Sequence, residues 1–127
     1  MKEVIRTDSA PAPFQGAPYS QAIKANGFVF VSGQLALKPD HAEIVGDNIT
    51  DQTELVLTNL RAILEEAGTS LDNLVKTTVF LQNLDDFAGM NEVYSKHVGE
   101  RPPARSTVEV AKLPSGALVE IEAIAVV

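Results

Sequence analysis

The chain has 127 residues, 45% hydrophobic, 21% charged and 6% aromatic, with no cysteine and a formal charge of −7 from ten Lys and Arg against seventeen Asp and Glu. A chain of this size hides roughly 65–70% of the surface its unfolded form exposes, so one domain over residues 1–127 needs neither disulfide nor structural metal. The absent cysteines exclude a thiol nucleophile and any thiolate metal site. The negative field makes broad binding to nucleic acid or an anionic membrane unlikely. Met1 to Asp8 carries acids and no apolar stretch, and no later run nears the ~18 apolar residues of a membrane span, so a cytoplasmic protein is expected.

In chain order, Ala10-Pro11-Ala12-Pro13 predicts a short ordered loop, after a possible N-terminal strand. Tyr19 to Ala25 and Phe28 to Ser32 flank Asn26-Gly27, the signature of a type I′ hairpin turn. Lys38-Pro39-Asp40 breaks the pattern, and Ile44-Val45 predicts a short extension or edge strand. From Thr50 or Asp51 to Ala67, apolar Val56, Leu60, Ile63, Leu64 and Ala67 recur at helical spacing, with Gly68 beyond the end. Leu74 to Leu81 is β-rich. Asn83 or Asp85 is placed to cap a second helix carrying Phe87, Met90, Val93, Tyr94 and His97/Val98, which Gly99 stops. Ala104 to Val110 and Leu118 to Val127 predict two strands around Leu113-Pro114-Ser115-Gly116.

The order β-β-α-β-α-β-β implies an α+β fold with a single mixed sheet and two helices on one face. Yet Phe28 to Val31 and Leu118 to Val127 are apolar on both alternating faces, and two helices cover only one. A homo-oligomer is therefore expected, with a second subunit covering the other face.

Among residues able to carry chemistry, Arg105 is the most unusual, an arginine inside a strand. Its planar fork suits a small carboxylate held bidentately; the alternative is a surface arginine paired with Glu109, Glu120 or Glu122. Glu120 and Glu122 share one face of an apolar strand, where a carboxyl either works as general acid or base or merely neutralises Arg105. Tyr19, Ser32 and Gly33 end or line the hairpin, with Gly33 marking either a close ligand approach or a bulge. Asn91 faces a ligand, a strand end or water. His41 and His97 lack the spaced companions of a zinc site, so no metal is expected.

Longer motifs then become recognisable: Pro-Tyr-Ser-Gln-Ala at 18–22, Val-Ser-Gly-Gln at 31–34, Val-Lys-Thr-Thr-Val-Phe-Leu at 75–81, Met-Asn-Glu-Val-Tyr at 90–94, Pro-Ala-Arg-Ser-Thr-Val-Glu-Val at 103–110 and Leu-Pro-Ser-Gly-Ala-Leu-Val-Glu-Ile-Glu at 113–122. From about Ser9 to Val127 the chain closely resembles the RidA/YjgF family of enamine/imine deaminases. The resemblance implies a chorismate-mutase-like fold, a barrel-like homotrimer and ligand clefts between subunits. It implies that Arg105 binds the substrate carboxylate, that Glu120 positions the attacking water, and that Tyr19, Ser32, Gly33, Asn91 and Thr107 line the cleft. The implied reaction is cofactor-free hydrolysis of 2-aminoacrylate, 2-aminocrotonate and their imine tautomers to 2-oxo acids and ammonia. Family members that only bind 2-oxo acids, or that are described as ribonucleases, supply the alternatives. Two departures stand out: Thr107 occupies a position where the family frequently has cysteine, and Ala17-Pro18-Tyr19 replaces the usual Gly-Pro-Tyr.

Overall fold

The computed structural model describes residues 1–127. Six strands form one sheet: β1 (Glu3–Ile5), β2 (Ala22–Ala25), β3 (Phe28–Gln34), β4 (Leu74–Leu81), β5 (Ala104–Glu109) and β6 (Val119–Val126), in the order β1-β2-β3-β6-β4-β5. Only β4 and β5 run parallel, so the sheet is mixed. Two helices, α1 (Ile49–Glu66) and α2 (Phe87–Val98), complete the α+β architecture. No helix is long and apolar enough to cross a membrane.

The hairpin turn forms as its dipeptide dictates. Asn26 and Gly27 have φ of 52° and 80°, the pair of positive values that a type I′ turn demands. The first hairpin strand is shorter than the sequence pattern suggests, beginning at Ala22 instead of Tyr19. The Ser20 carbonyl accepts the Ser32 hydroxyl (2.6 Å), and the Gln21 carbonyl accepts the Ser32 N–H (2.9 Å). Pro18 lacks a donor for a ladder. Tyr19 therefore sits in a loop ahead of the strand.

Helix α1 starts slightly earlier than its apolar pattern indicates. Asn48 is the cap, its side-chain oxygen accepting the Asp51 N–H (2.8 Å) while its amide donates to the Asp51 carboxylate (3.0 Å). Before α2, Asn83 accepts the Asp85 N–H and caps a single 3₁₀ turn, Leu84–Asp86, which runs directly into the helix. Ile44-Val45 forms no strand: Val45 makes one backbone hydrogen bond to the Ala36 carbonyl, and Ile44 packs against the core instead.

Helical periodicity puts Val56, Leu57, Leu60, Ile63 and Leu64 of α1 and Met90, Val93, Tyr94 and Val98 of α2 on the sheet. There they bury against Val29, Val31, Val79, Ile121, Ala123 and Ala125. Strand alternation sends the other side chains to a face with no helix. On it Phe28 and Phe30 remain 40% and 45% exposed, their rings 6.2 Å apart, beside Ile124 and Val126. The helix-covered face and the open face together position every residue discussed below.

One buried polar group ties α1 to the chain leaving β3. The Asn59 amide donates to the carbonyls of Leu35 (3.1 Å) and Leu37 (2.8 Å), in a stretch that has left the ladder, where Leu35 also accepts the Leu37 N–H (2.9 Å). Replacing it with leucine keeps the volume, leaves the Leu35 carbonyl only that local bond and strands the Leu37 carbonyl. Asn59→Leu is expected to lower the unfolding free energy by about 1–3 kcal/mol, measured by urea denaturation.

Candidate functional site

Glu120 stands in the middle of the sheet on β6, opposite Phe80 of β4 and facing away from the helices. Its immediate neighbour is Gly33 of β3, next to a register shift between Val31 and Gln34. A Cβ at Gly33 would lie 2.0 Å from Glu120 Oε2 and 2.9 Å from its Cδ. Of the two sequence readings of Gly33 the bulge is present, and the group that comes close to its backbone is the chain's own Glu120 carboxyl. Tyr19, Ser32 and Gly33 join Glu120 around an open cleft of about 480 Å³, with Phe14 and Pro114 as apolar walls. The Phe14 N–H donates to Tyr19 Oη (2.6 Å), fixing the loop that carries both. Burial, then the nearby charge of Glu122, pushes the Glu120 pKa above the usual carboxylate range.

Arg105 lies elsewhere. It sits on the edge strand β5 opposite Thr77, and this register turns its side chain toward α2. Its guanidinium carbon is 4.8 Å from the Tyr94 ring centre and 5.5 Å from that of Phe87, a cation–π platform made by two aromatics seven residues apart on α2. Burial raises the Tyr94 phenol pKa, partly offset by the Thr77 hydrogen bond (2.6 Å) and by Arg105, so Arg105 faces a neutral ring. The expected alternative, pairing with Glu109, Glu120 or Glu122, does not occur. Glu109 instead accepts the Leu84 N–H (2.9 Å), and both other acids face the far side of the sheet. Arg105 and Asn91 share a second open cleft of about 460 Å³ with Tyr94, Gly99, Pro102 and Pro103.

Thr107 follows Arg105 on the same face of β5. Its hydroxyl is buried without a hydrogen-bond partner and lines neither cleft. His97 ties the two helices, meeting Glu54 and lying 2.9 Å from the Arg61 guanidinium, while His41 pairs with Asp40 at the surface. No group of three or more His, Asp or Glu side chains is placed to hold a metal. The residues named from sequence therefore fall into two groups, Tyr19, Ser32, Gly33 and Glu120 in one cleft and Asn91 and Arg105 in another. One chain cannot bring the two groups together, because they open on opposite faces.

Comparison with known proteins supplies the family. The model described as Endoribonuclease L-PSP matches residues 7–127. The chain belongs to the RidA/YjgF family. A RutC family protein of Pyrococcus abyssi is 56% identical over 124 residues, spanning 98% of this chain and 96% of its own. Reactive Intermediate Deaminase A, chloroplastic, of Arabidopsis thaliana is 49% identical over 124 residues, spanning 98% of this chain and 65% of its own. Among solved structures, a Rid family protein of Yersinia pestis superposes with a TM-score of 0.94 at 48% identity over 100% of both chains. E. coli TdcF with bound serine superposes at 0.89 and 42% identity over 98% of both.

The aromatic platform beneath Arg105 was not anticipated, although the spacing of Phe87 and Tyr94, two turns apart on one helix face, was a usable signal. At position 107, where the resemblance leads one to expect cysteine, the chain holds a buried hydroxyl without a partner. For Gly33 the geometry makes a direct prediction. Because the clash of an added methyl falls on the far end of a half-buried side chain, Gly33→Ala is expected to cost about 1 kcal/mol or less in stability. The Glu120 carboxyl is expected to swing outward, and carbon NMR of labelled carboxyl groups should show its titration moving down toward the ordinary glutamate range.

Proposed function

We propose that the protein hydrolyses reactive enamines and imines, 2-aminoacrylate and 2-aminocrotonate with their tautomers, to 2-oxo acids and ammonia, as a 2-iminobutanoate/2-iminopropanoate deaminase of the cytoplasm. The observation that carries this reading is the separation of Arg105 from Glu120 on opposite faces of one sheet. Each is left without an ionic partner in its own chain. Subunits packed through their open faces, three to a barrel-like homotrimer, would bring the Arg105 cleft of one copy to the Glu120 cleft of the next. The exposed Phe28 and Phe30 support such packing. The reactive intermediate deaminase of Arabidopsis supports the reaction class, and serine in E. coli TdcF supports a small amino- or oxo-acid ligand.

In this mechanism Arg105 holds the substrate carboxylate through its planar fork, oriented by Tyr94 and Phe87 beneath it. Asn91, Tyr19, Ser32 and Gly33 line the combined cleft, with Thr107 behind them on the Arg105 strand. An imine carbon is already electrophilic, so orientation, one placed water and proton transfers suffice. Glu120 aligns the water and carries the proton to the departing nitrogen. All of these steps use groups of the chain itself, with no cofactor.

Arg105→Ala and Glu120→Gln should each abolish imine hydrolysis, measured with a pyridoxal-phosphate-dependent dehydratase generating the imine, while leaving the fold intact. Mixing the two variants after dissociation should restore about a quarter of wild-type activity, the share of sites joining an intact Arg105 to an intact Glu120 in randomly mixed cyclic oligomers. Near-normal activity of Arg105→Ala, or no recovery on mixing, would overturn the assignment. Phe30→Glu is expected to yield inactive monomers by sedimentation equilibrium.

A second reading, in which this protein holds small carboxylates without turning them over, has support in the serine-bound structure of the E. coli relative. Unchanged imine decay beside measurable 2-oxobutyrate binding would favour it. The family model's description as an endoribonuclease meets a chain of charge −7, which disfavours a phosphate backbone.

A further inference from the structure

The Glu120 cleft contains a second carboxylate with no part in the mechanism above. Glu122 follows two residues along β6, so its side chain leaves the same open face, and both acids line one cavity. Two residues along a strand span about 7 Å, within the screening length of roughly 10 Å at moderate salt. The chain's ion pairs are His41–Asp40 and His97–Glu54, so neither acid of the cleft is neutralised.

Few other groups face the pair. The loop before β2 contributes the phenol of Tyr19. Strand β4 contributes Lys76, which shares a cavity with Glu122 and reaches across to Ser106 Oγ of β5 (3.4 Å). Strand β3 offers only Phe30, Ser32 and Gly33. Lys76 is thus the one cation of the chain near the two acids, and it lies on the Glu122 side.

Resting on the hydrolytic reading of this site, we propose that Glu122 is a positioning residue whose negative charge keeps the working proton on Glu120. The upward displacement of the Glu120 pKa, by burial first and Glu122 second, agrees with this arrangement. In the reaction, water oxygen bonds to the imine carbon, the C=N π pair moves to nitrogen, nitrogen takes the Glu120 proton, and the added water gives one proton back to the Glu120 carboxylate, leaving a neutral amino alcohol. Glu120 then protonates the amino nitrogen a second time, the C–N bond breaks with its electron pair leaving as ammonia, and the hydroxyl proton returns to the Glu120 carboxylate as the carbonyl forms. Protons balance, and Glu120 ends as it began. A neighbouring fixed negative charge makes each return of the proton to Glu120 more favourable.

The test follows Glu120 itself. Carbon NMR of labelled carboxyl groups and the pH profile of kcat are measured for the wild type, Glu122→Gln, Glu122→Asp and Lys76→Met. Removing the Glu122 charge should move the Glu120 titration, and the limb of the profile it governs, to lower pH. Glu122→Asp should hold both near wild type, and Lys76→Met should move them to higher pH. Added salt should displace the wild type toward the Glu122→Gln position and barely affect that variant. A Glu120 titration unmoved by Glu122→Gln, or moved equally by Glu122→Asp, would overturn Glu122's role alone. Absence of imine turnover in the wild type would instead overturn the hydrolytic reading on which that role rests. Lys76→Met touches neither acid, so it decides the electrostatic argument even if a β6 substitution fails to fold.

Discussion

Two helices can cover one face of a six-stranded sheet, and much else in this molecule follows from that limit. Helices α1 and α2 spend their apolar stripes on one side, burying Val29, Val79 and Ile121. Strand alternation then obliges Phe28, Phe30, Ile124 and Val126 to stand on the other, without cover in their own chain. The same alternation divides the polar groups. Arg105 follows the covered parity and meets the aromatics of α2, whereas Glu120 and Glu122 follow the open parity and meet Gly33 and Tyr19. In the assembly proposed above, packing and chemistry are linked, because the contact that hides the phenylalanines is the contact that completes the cleft.

Most of this fold was legible in the sequence because its signals are local. The Asn26-Gly27 turn, the apolar stripe of α1, the aliphatic run of β4 and the stop at Gly99 depend on near neighbours. The structure departs from the local pattern where a distant partner decides. Tyr19 lies in a segment that alternates like a strand, but the ladder ends after the Ser32 N–H meets the Gln21 carbonyl, the Ser20 carbonyl takes the Ser32 hydroxyl instead, and Pro18 has no N–H to continue it. Ile44-Val45 has strand-like composition and only one hydrogen-bonding neighbour, so the pair packs without pairing. Position β1 at the edge was legible only as a possibility, being three residues long.

The candidate site residues can be named from the sequence, but their arrangement cannot. Composition alone leaves Arg105 open to a salt bridge with Glu109, Glu120 or Glu122; register sends the last two to the far face, and Glu109 is taken by the Leu84 N–H. The family motifs name residues on β3, β5 and β6, yet which face each side chain takes depends on parity across the paired strands. Gly33 shows the difference most clearly. Nothing in Ser-Gly-Gln says that the missing side chain makes room for a carboxyl eighty-seven residues later, a fact that appears only when β3 and β6 lie side by side.

Thr107 has a consequence of its own. A cysteine beside an arginine acquires thiolate character, and thiolates are oxidised stepwise by peroxide and alkylated by electrophiles. In this chain the corresponding group is a buried hydroxyl two residues along the strand from Arg105, and no thiol exists anywhere in the sequence. This position of β5 is therefore closed to thiolate oxidation and to thiol-directed alkylation.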